Sequence, residues 1–501
     1  MAPIEIDQDP RYYYVQAHVP ILLPASQLGG HILLTSCLTA LVSRTIYRSY
    51  LALPPSSATR HRQPLRRNHV RIFISLAFLG LITAGWFGVS GASLSYRVWA
   101  IERGVELPDS LFGDRGAFRL GQHPGRFEII RWLNDTPFYR DNLEIVAENT
   151  RYFWWGQQAN FAMNSFSTYV AIEGRRRNIS NLWAFILLGQ LVNVSFAQKS
   201  VNVDVLTDTR RVFGSVHKLW FEKIVPQRSH NWLPSSGFYI ASLIFGYGAL
   251  FLTPFAANTS SFGTVALLSV SLPFAPLLLP YIIPEHWGTT YDHPHEAHSS
   301  YTEIFRSISI ISSILHVRTT GLALLYNTPE NHYYRHSLLH PLEKVYRSNT
   351  NRAFTAVERV FGAISDHPAV ASVGYDVILS GLSLGTWAAV RGLDGIEILR
   401  VVIPWMKKVK AGVKVKEEVE GISKLSDTPS PIRRRGRPRK SNRSSQDAAY
   451  VPTATATTSL AEGDYDEDED WEIAALTWGV LSSTGLGVGS AGVYGAEMTA
   501  R

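Results

Sequence analysis

Two carboxylates, a run of amides and a pair of tryptophans carry the chemistry this chain offers inside apolar sequence. Asp376 lies within AVASVGYDVILSGLSLGTWAAV, and Glu173 closes YFWWGQQANFAMNSFSTYVAIE, which also contains Trp154, Trp155, Gln157, Gln158 and Asn160. A polar group in hydrocarbon is stabilised only by another polar group, by water or by a ligand. Burial favours the neutral acid at Asp376, the state needed to start a reaction by proton donation, although a hydrogen bond to a neighbouring helix would use the same residue without chemistry. Glu173 is followed by Arg175, Arg176 and Arg177. Those cations favour its ionised form, suited to stabilising a cation or simply to pairing with the arginines. Trp154 and Trp155 suit either an interfacial belt or the wall of a cation-binding cavity.

Histidines form a second constellation. His293, His295 and His298 fall in DHPHEAH beside Asp292 and Glu296, and His332, His336 and His340 follow at intervals of four. On one helix the latter trio would stack along a face and offer metal ligands. The boxes of membrane di-iron oxygenases do not occur, and Pro294 and Pro341 interrupt the helices such boxes need. The expectation is no metal, with a metal-dependent membrane oxidoreductase as the alternative. A transporter or scaffold without catalysis is a third reading.

The elements that must position these residues are membrane helices. The chain has 501 residues, 46% of them hydrophobic, and its mean hydropathy of −0.01 averages long apolar runs with charged loops. About 20 apolar residues cross a bilayer. Candidate spans lie at 19–43, 71–96, 152–173, 179–198, 235–257, 262–284, 303–326, 369–390 and 471–495. The fold expected is all-α: a polytopic integral membrane helix bundle of eight or nine spans. Residues 1–400 form its main body, with a polar cap at 97–151. A basic then acidic linker at 401–470, disordered from about 424, and a last span within 471–501 complete it.

The single cysteine, Cys37, excludes an intramolecular disulfide, and the N-terminal sequence lacks the basic region of a cleaved signal peptide. The net charge of +7 is concentrated in Arg-rich segments at 44–71 and 433–443. Such clusters beside apolar spans indicate the cytosolic side and anionic lipid. The sequence RRRGRPRK at 433–440 is like a minor-groove AT-hook, but in this setting a solvated linker is expected, with no nucleic acid partner. One crossing per span puts 44–71 and 174–178 on the cytosolic side and the basic linker on the opposite one, in conflict with that bias. A re-entrant segment would remove the conflict.

Four blocks carry a resemblance. FWWGQQ with EGRRRNISNLWAFILLGQLVNVSFAQ, PEHWGTTYDHPHEAHSSYT, SDHPAVASVGYDVIL and DWEIAALTWGVLSSTGLGVGSAGVYGAE resemble the fungal membrane-bound terpene cyclases of the ascofuranone and macrophorin pathways. The resemblance implies an endoplasmic reticulum enzyme without cofactor. It would cyclise the farnesyl chain of a lipophilic prenylated aromatic substrate by protonating a terminal epoxide or olefin. No DDxxD motif is present, so magnesium-dependent diphosphate ionisation is not implied. In such an enzyme the histidine cluster would shape a polar rim or take up the final proton. From the residues alone, Asp376 is the expected acid and Glu173 the cation-stabilising carboxylate, while Trp154, Trp155, Gln157, Gln158 and Asn160 are expected to contact substrate.

Overall fold

A computed structural model describes residues 22–51, 63–105, 128–207 except 178 and 180, 232–335 except 292 and 293, 343–403 and 467–499. These residues are mainly helical, as the long apolar runs require. Helices α1 (Leu22–Leu51) and α2 (Gln63–Arg103) precede two short ones, α3 (Ile129–Asp135) and α4 (Phe138–Glu148). α5 (Thr150–Tyr169) continues as a π-turn over Val170–Gly174. α6 (Leu182–Leu191) and α7 (Val194–Thr207) follow, then α8 (Ser236–Ala256), α9 (Phe262–Ser271) and α10 (Ala275–Ile282). The remaining helices are α11 (His298–Asn327), α12 (Asn349–Gly362), α13 (Pro368–Arg391), α14 (Gly395–Val402), α15 (Glu467–Thr484) and α16 (Leu486–Thr499). Two small antiparallel pairs join β1 (Trp232–Pro234) to β2 (Gly288–Thr290) and β3 (His332–Arg335) to β4 (Glu343–Tyr346).

Five helical segments are long and apolar enough to cross a membrane: Asn68–Arg103, Ser236–Ala256, Phe262–Ile282, His298–Asn327 and Pro368–Arg391. On α2, Ile74, Phe78, Ile82, Trp86 and Val89 are exposed, an apolar surface suited to lipid.

Ionic contacts define the two ends of the bundle. At one end Arg151 pairs with Asp366 at 2.9 Å, and Asn327 Nδ2 donates to Thr150 Oγ1 at 3.5 Å. At the other, Glu497 meets Arg391 at 2.9 Å and Arg177 at 3.9 Å. The N-terminal third of α2 lies at this second end, since Phe73 packs edge-on against Trp387.

Two expected spans are each broken into a pair of shorter helices. The apolar run at 179–198 stops at Val192 and restarts at Val194, because Asn193 caps α7: its Oδ1 accepts the Phe196 N–H at 2.8 Å. The ten residues of α6 reach about 15 Å, half a bilayer core. It enters at the Arg177 end, beside Gly174, and α7 turns back: Asn193 bonds Gly80 O, and Lys199 bonds Leu76 O further toward the start of α2.

The closing segment behaves likewise. Leu476 lies near Gly395, Trp478 packs on Gly385, and Leu481 lies near Gly381. The chain then turns at Gly485 (φ +86°), and α16 runs back to Glu497 at the Arg177 end. The last segment is therefore a helical hairpin, not the single span expected within 471–501. Small residues permit its depth: Gly487, Gly492 and Gly495 lie against Ser312, Val402 and Val401 with no room for a Cβ.

Within the expected cap at 97–151, α2 extends to Arg103 and α3 and α4 follow, while residues 106–127 lie outside the described residues. So does the linker from 404 to 466.

Candidate functional site

A cavity of about 460 Å³ lies at the tip of the α15–α16 hairpin. It sits where that hairpin stops partway through the bundle instead of filling it. Trp154, Trp155 and Gln158 of α5 line it with His316 of α11, Phe361 of α12 and Val377, Ile378, Gly381 and Leu382 of α13. Trp478, Leu481, Ser482, Gly485 and Leu486 close it from the hairpin. Phe361, Ile378 and Leu382 are exposed, so one side of the cavity opens onto the apolar flank of the bundle.

The aromatic wall is held in place. Trp154 Nε1 donates to Thr320 Oγ1 at 2.9 Å, and Trp155 Nε1 donates to Val360 O at 3.1 Å. The two indoles meet edge-on with centroids 4.9 Å apart, and Phe361 packs against Trp154 at 5.3 Å. With their N–H groups engaged, the rings offer π faces, which attract cations.

Besides Ser482, bonded to Gly479 O, and Trp478, a side-chain hydrogen-bonded pair interrupts this apolar lining. Gln158 is buried, and its Oε1 accepts the Leu486 N–H at 2.9 Å, satisfying an orphan donor at the start of α16. Its Nε2 then faces His316 Nδ1 at 2.9 Å. A Cβ at Gly485 would fall 2.7 Å from both Gln158 Oε1 and His316 Nδ1, so the pair depends on that glycine for space as well as for its positive φ.

The expected site residues separate into three groups. Trp154, Trp155 and Gln158 line the cavity together. Gln157 and Asn160 lie outside the lining: Gln157 is buried toward α11, its Nε2 3.5 Å from Leu315 O, and Asn160 Nδ2 bonds Gly156 O at 2.9 Å. The two carboxylates lie elsewhere.

Asp376 is one residue from the cavity wall but turns away from it. Its Oδ2 accepts the Val194 N–H at 2.9 Å and its Oδ1 the Ser195 N–H at 2.7 Å. Both oxygens thus cap the N-terminus of α7 inside the bundle. The capping gives Asp376 a structural task that the sequence reading offered only as an alternative, a hydrogen bond to a neighbouring helix. The same burial leaves a helix N-terminus without water, and Asp376 supplies what water would.

Glu173, fully buried at the end of the π-turn, pairs with Arg176 at 2.7 Å and Arg177 at 2.5 Å. Beside it Glu497 accepts from Tyr169 Oη at 3.0 Å, Trp387 Nε1 at 2.6 Å and Arg391. This ion cluster joins α5, α13 and α16 at the Arg177 end. Pairing with the adjacent arginines, one of the two readings open in the sequence, is the geometry observed for Glu173.

Most of the histidine constellation falls on residues or side chains outside those described, His295 included. His332 lies in a strand, so the spacing of four does not stack it along a helix face; His336 and His340 lie outside the described residues, as do Asp292 and His293. Among the described residues no group of three His, Cys, Asp or Glu is arranged to hold a metal. RRRGRPRK also lies outside them.

His316, a member of the histidine cluster in the sequence, and Glu497 were not among the residues expected at the site. His316 interrupts SISIISSILHVRTTGLALL, and an ionisable group in mid-span was itself the available signal. Glu497 follows a Gly/Ala-rich stretch and lies just beyond the span expected at 471–495, where that signal does not apply. No family model, no curated protein and no solved structure matches the chain.

Proposed function

We propose that the chain is an integral membrane terpene cyclase. In this reading the cavity admits a lipophilic prenylated aromatic substrate from the bilayer, folds its farnesyl chain and closes it into rings. Protonation of a terminal epoxide or olefin starts the reaction, and loss of a proton from the last cation ends it. Proton gain and loss balance, so the product is an isomer and no redox cofactor is consumed.

The observation that carries the reading is a 460 Å³ apolar cavity walled by Trp154, Trp155, Phe361 and Trp478 with one imidazole–amide pair in its lining. The volume is within the range of small-molecule sites, about 300–1,000 Å³. Ring faces stabilise cationic centres along a folded prenyl chain, and apolar walls exclude the water that would quench them. His316 is the titratable side chain of the lining: in this reading its ring N–H polarises the epoxide oxygen as an electrophile, passes its proton to that oxygen as the C–O bond breaks, and the ring recovers a proton from the last cation. Asp376 and Glu173 then serve the scaffold.

The same proposal includes the topology. Seven helical segments run between the two ends: α1, α2, α5, α8, α9–α10, α11 and α13. The hairpins α6–α7 and α15–α16 are re-entrant from the Arg177 end. With one re-entrant hairpin before α8, the helices flanking the Arg-rich loop, the triple-arginine turn and the basic linker all end on one side. The positive-inside bias makes that side cytosolic, here of the endoplasmic reticulum.

The test is conversion of a farnesylated phenol and its terminal epoxide by microsomes carrying the chain. A cyclised isomer from wild type, lost in His316→Ala, supports the reading; no product from either substrate overturns it. Re-entrant half-helices also occur in secondary transporters, which makes transport the second reading. Substrate accumulation in sealed vesicles without isomerisation would favour it.

A further inference from the structure

We infer that His316 presents an Nε2–H donor to the cavity, that Gln158 is the positioning residue that sets this tautomer, and that the ligand accordingly carries an acceptor oxygen. The inference rests on the reading of the cavity as a lipid site and names the ligand chemistry that site selects.

The argument starts from a group with no choice. The backbone N–H of Leu486 can only donate, so the atom of Gln158 facing it at 2.9 Å must be the amide oxygen. That fixes the other end of the amide: its NH2 faces His316 Nδ1 at 2.9 Å, and an NH2 can only donate. Nδ1 must then accept through its lone pair, which leaves the ring proton of the neutral imidazole on Nε2. Rotating the amide would set its NH2 against the Leu486 N–H and strand that donor inside the bundle.

Nε2 has no hydrogen-bond partner among the described residues, although His316 is part of the cavity lining. An N–H facing an apolar cavity costs free energy until an acceptor arrives. A hydrocarbon chain leaves that cost standing, whereas an ether, carbonyl or hydroxyl oxygen removes it. The hairpin turn, the amide and the imidazole therefore form one relay of fixed polarity. Its origin is the start of α16 and its end is a donor in a mostly apolar lining.

Farnesyl methyl ether, farnesol and farnesene separate the possibilities, because they share a chain and differ in oxygen. Their binding to the purified full-length protein is read by native mass spectrometry. The ether, which can only accept, and the alcohol should each bind about fivefold to tenfold more tightly than farnesene, the scale of one hydrogen bond. Gln158→Met keeps the side-chain shape, frees Nδ1 and should shrink the ether-to-farnesene ratio severalfold. His316→Leu should bring it to about one and keeps the test open if Gln158→Met fails to fold. The ratio is the readout because a merely structural loss would weaken all three ligands together.

Wild-type ratios near one overturn the inference while leaving the cavity as a lipid site. Preference for the alcohol with the ether bound no better than farnesene also overturns it, since that pattern requires a bare Nε2 lone pair. An unchanged ratio in Gln158→Met removes Gln158 as the positioning residue. No binding of any of the three would instead count against the cyclase reading itself.

Discussion

The carboxylate of Asp376 accepts the backbone N–H of Ser195 at 2.7 Å across 181 residues of sequence, and that of Val194 beside it. The contact places the one carboxylate of α13 at the start of a helix that begins inside the bundle. A half-helix there needs a permanent acceptor, and a carboxylate supplies two. The residue most tempting as an acid in the sequence thus also holds the start of α7.

Replacing Asp376 should therefore act on stability before activity. Asp376→Leu strands two buried N–H groups, at a cost of about 1–3 kcal/mol each, and should accumulate poorly or melt well below wild type. Asp376→Asn keeps one acceptor oxygen and should fold with a smaller loss and retain cyclisation. Melting in detergent together with microsomal turnover checks this; a fully stable but inactive Asp376→Asn would restore the acid role.

Glu497 should rank among the most sensitive positions at the Arg177 end. Glu497→Gln removes the charge facing Arg391 and Arg177 while leaving Trp387 and Tyr169 nearly in place. Breaking a buried pair from one side costs about 3–5 kcal/mol. The expected outcome is faster proteolysis of the α16 end with a lower melting temperature. Equal protease resistance in mutant and wild type would show that the cluster does not dock α16.

Gly485→Ala tests the hairpin tip. It forces a Cβ onto a φ of +86° and to 2.7 Å from the Gln158–His316 pair, so it should cost about 1–3 kcal/mol and abolish ligand binding. Gly479→Ala on the same hairpin meets nothing within 4 Å and should bind as wild type. Equal binding by the two variants would refute the steric account.

Sidedness can be read directly, since Cys37 is the only cysteine to remove. In a Cys37→Ser background, Ile396→Cys and Glu472→Cys should react with an impermeant maleimide from one side of sealed microsomes, and Glu330→Cys from the other. Labelling of Glu472→Cys from the Glu330 side would mean that the α15 segment crosses fully.

Much of the bundle was legible from local pattern. Apolar runs of membrane length located helices near 71–96, 235–257, 262–284, 303–326 and 369–390, because length and hydrophobicity act residue by residue. That Trp154, Trp155 and Gln158 share one surface was legible for the same reason, and they line one cavity: an amide among aromatics in an apolar run needs a partner. Hydropathy could not distinguish a span from a hairpin, since Asn193 and Gly485 are unremarkable until their neighbours are known.

Residue types, charge and periodicity alone settled that the chain is a set of long apolar helices with buried polar groups demanding partners. Which partner each group takes was decided only in three dimensions. Asp376 received two backbone N–H groups from a helix 181 residues earlier, Glu173 its own neighbouring arginines, and Gln158 a helix start and an imidazole. Burial makes a hydrogen bond obligatory, but it is directional and short-ranged, so only the packed bundle selects which one forms.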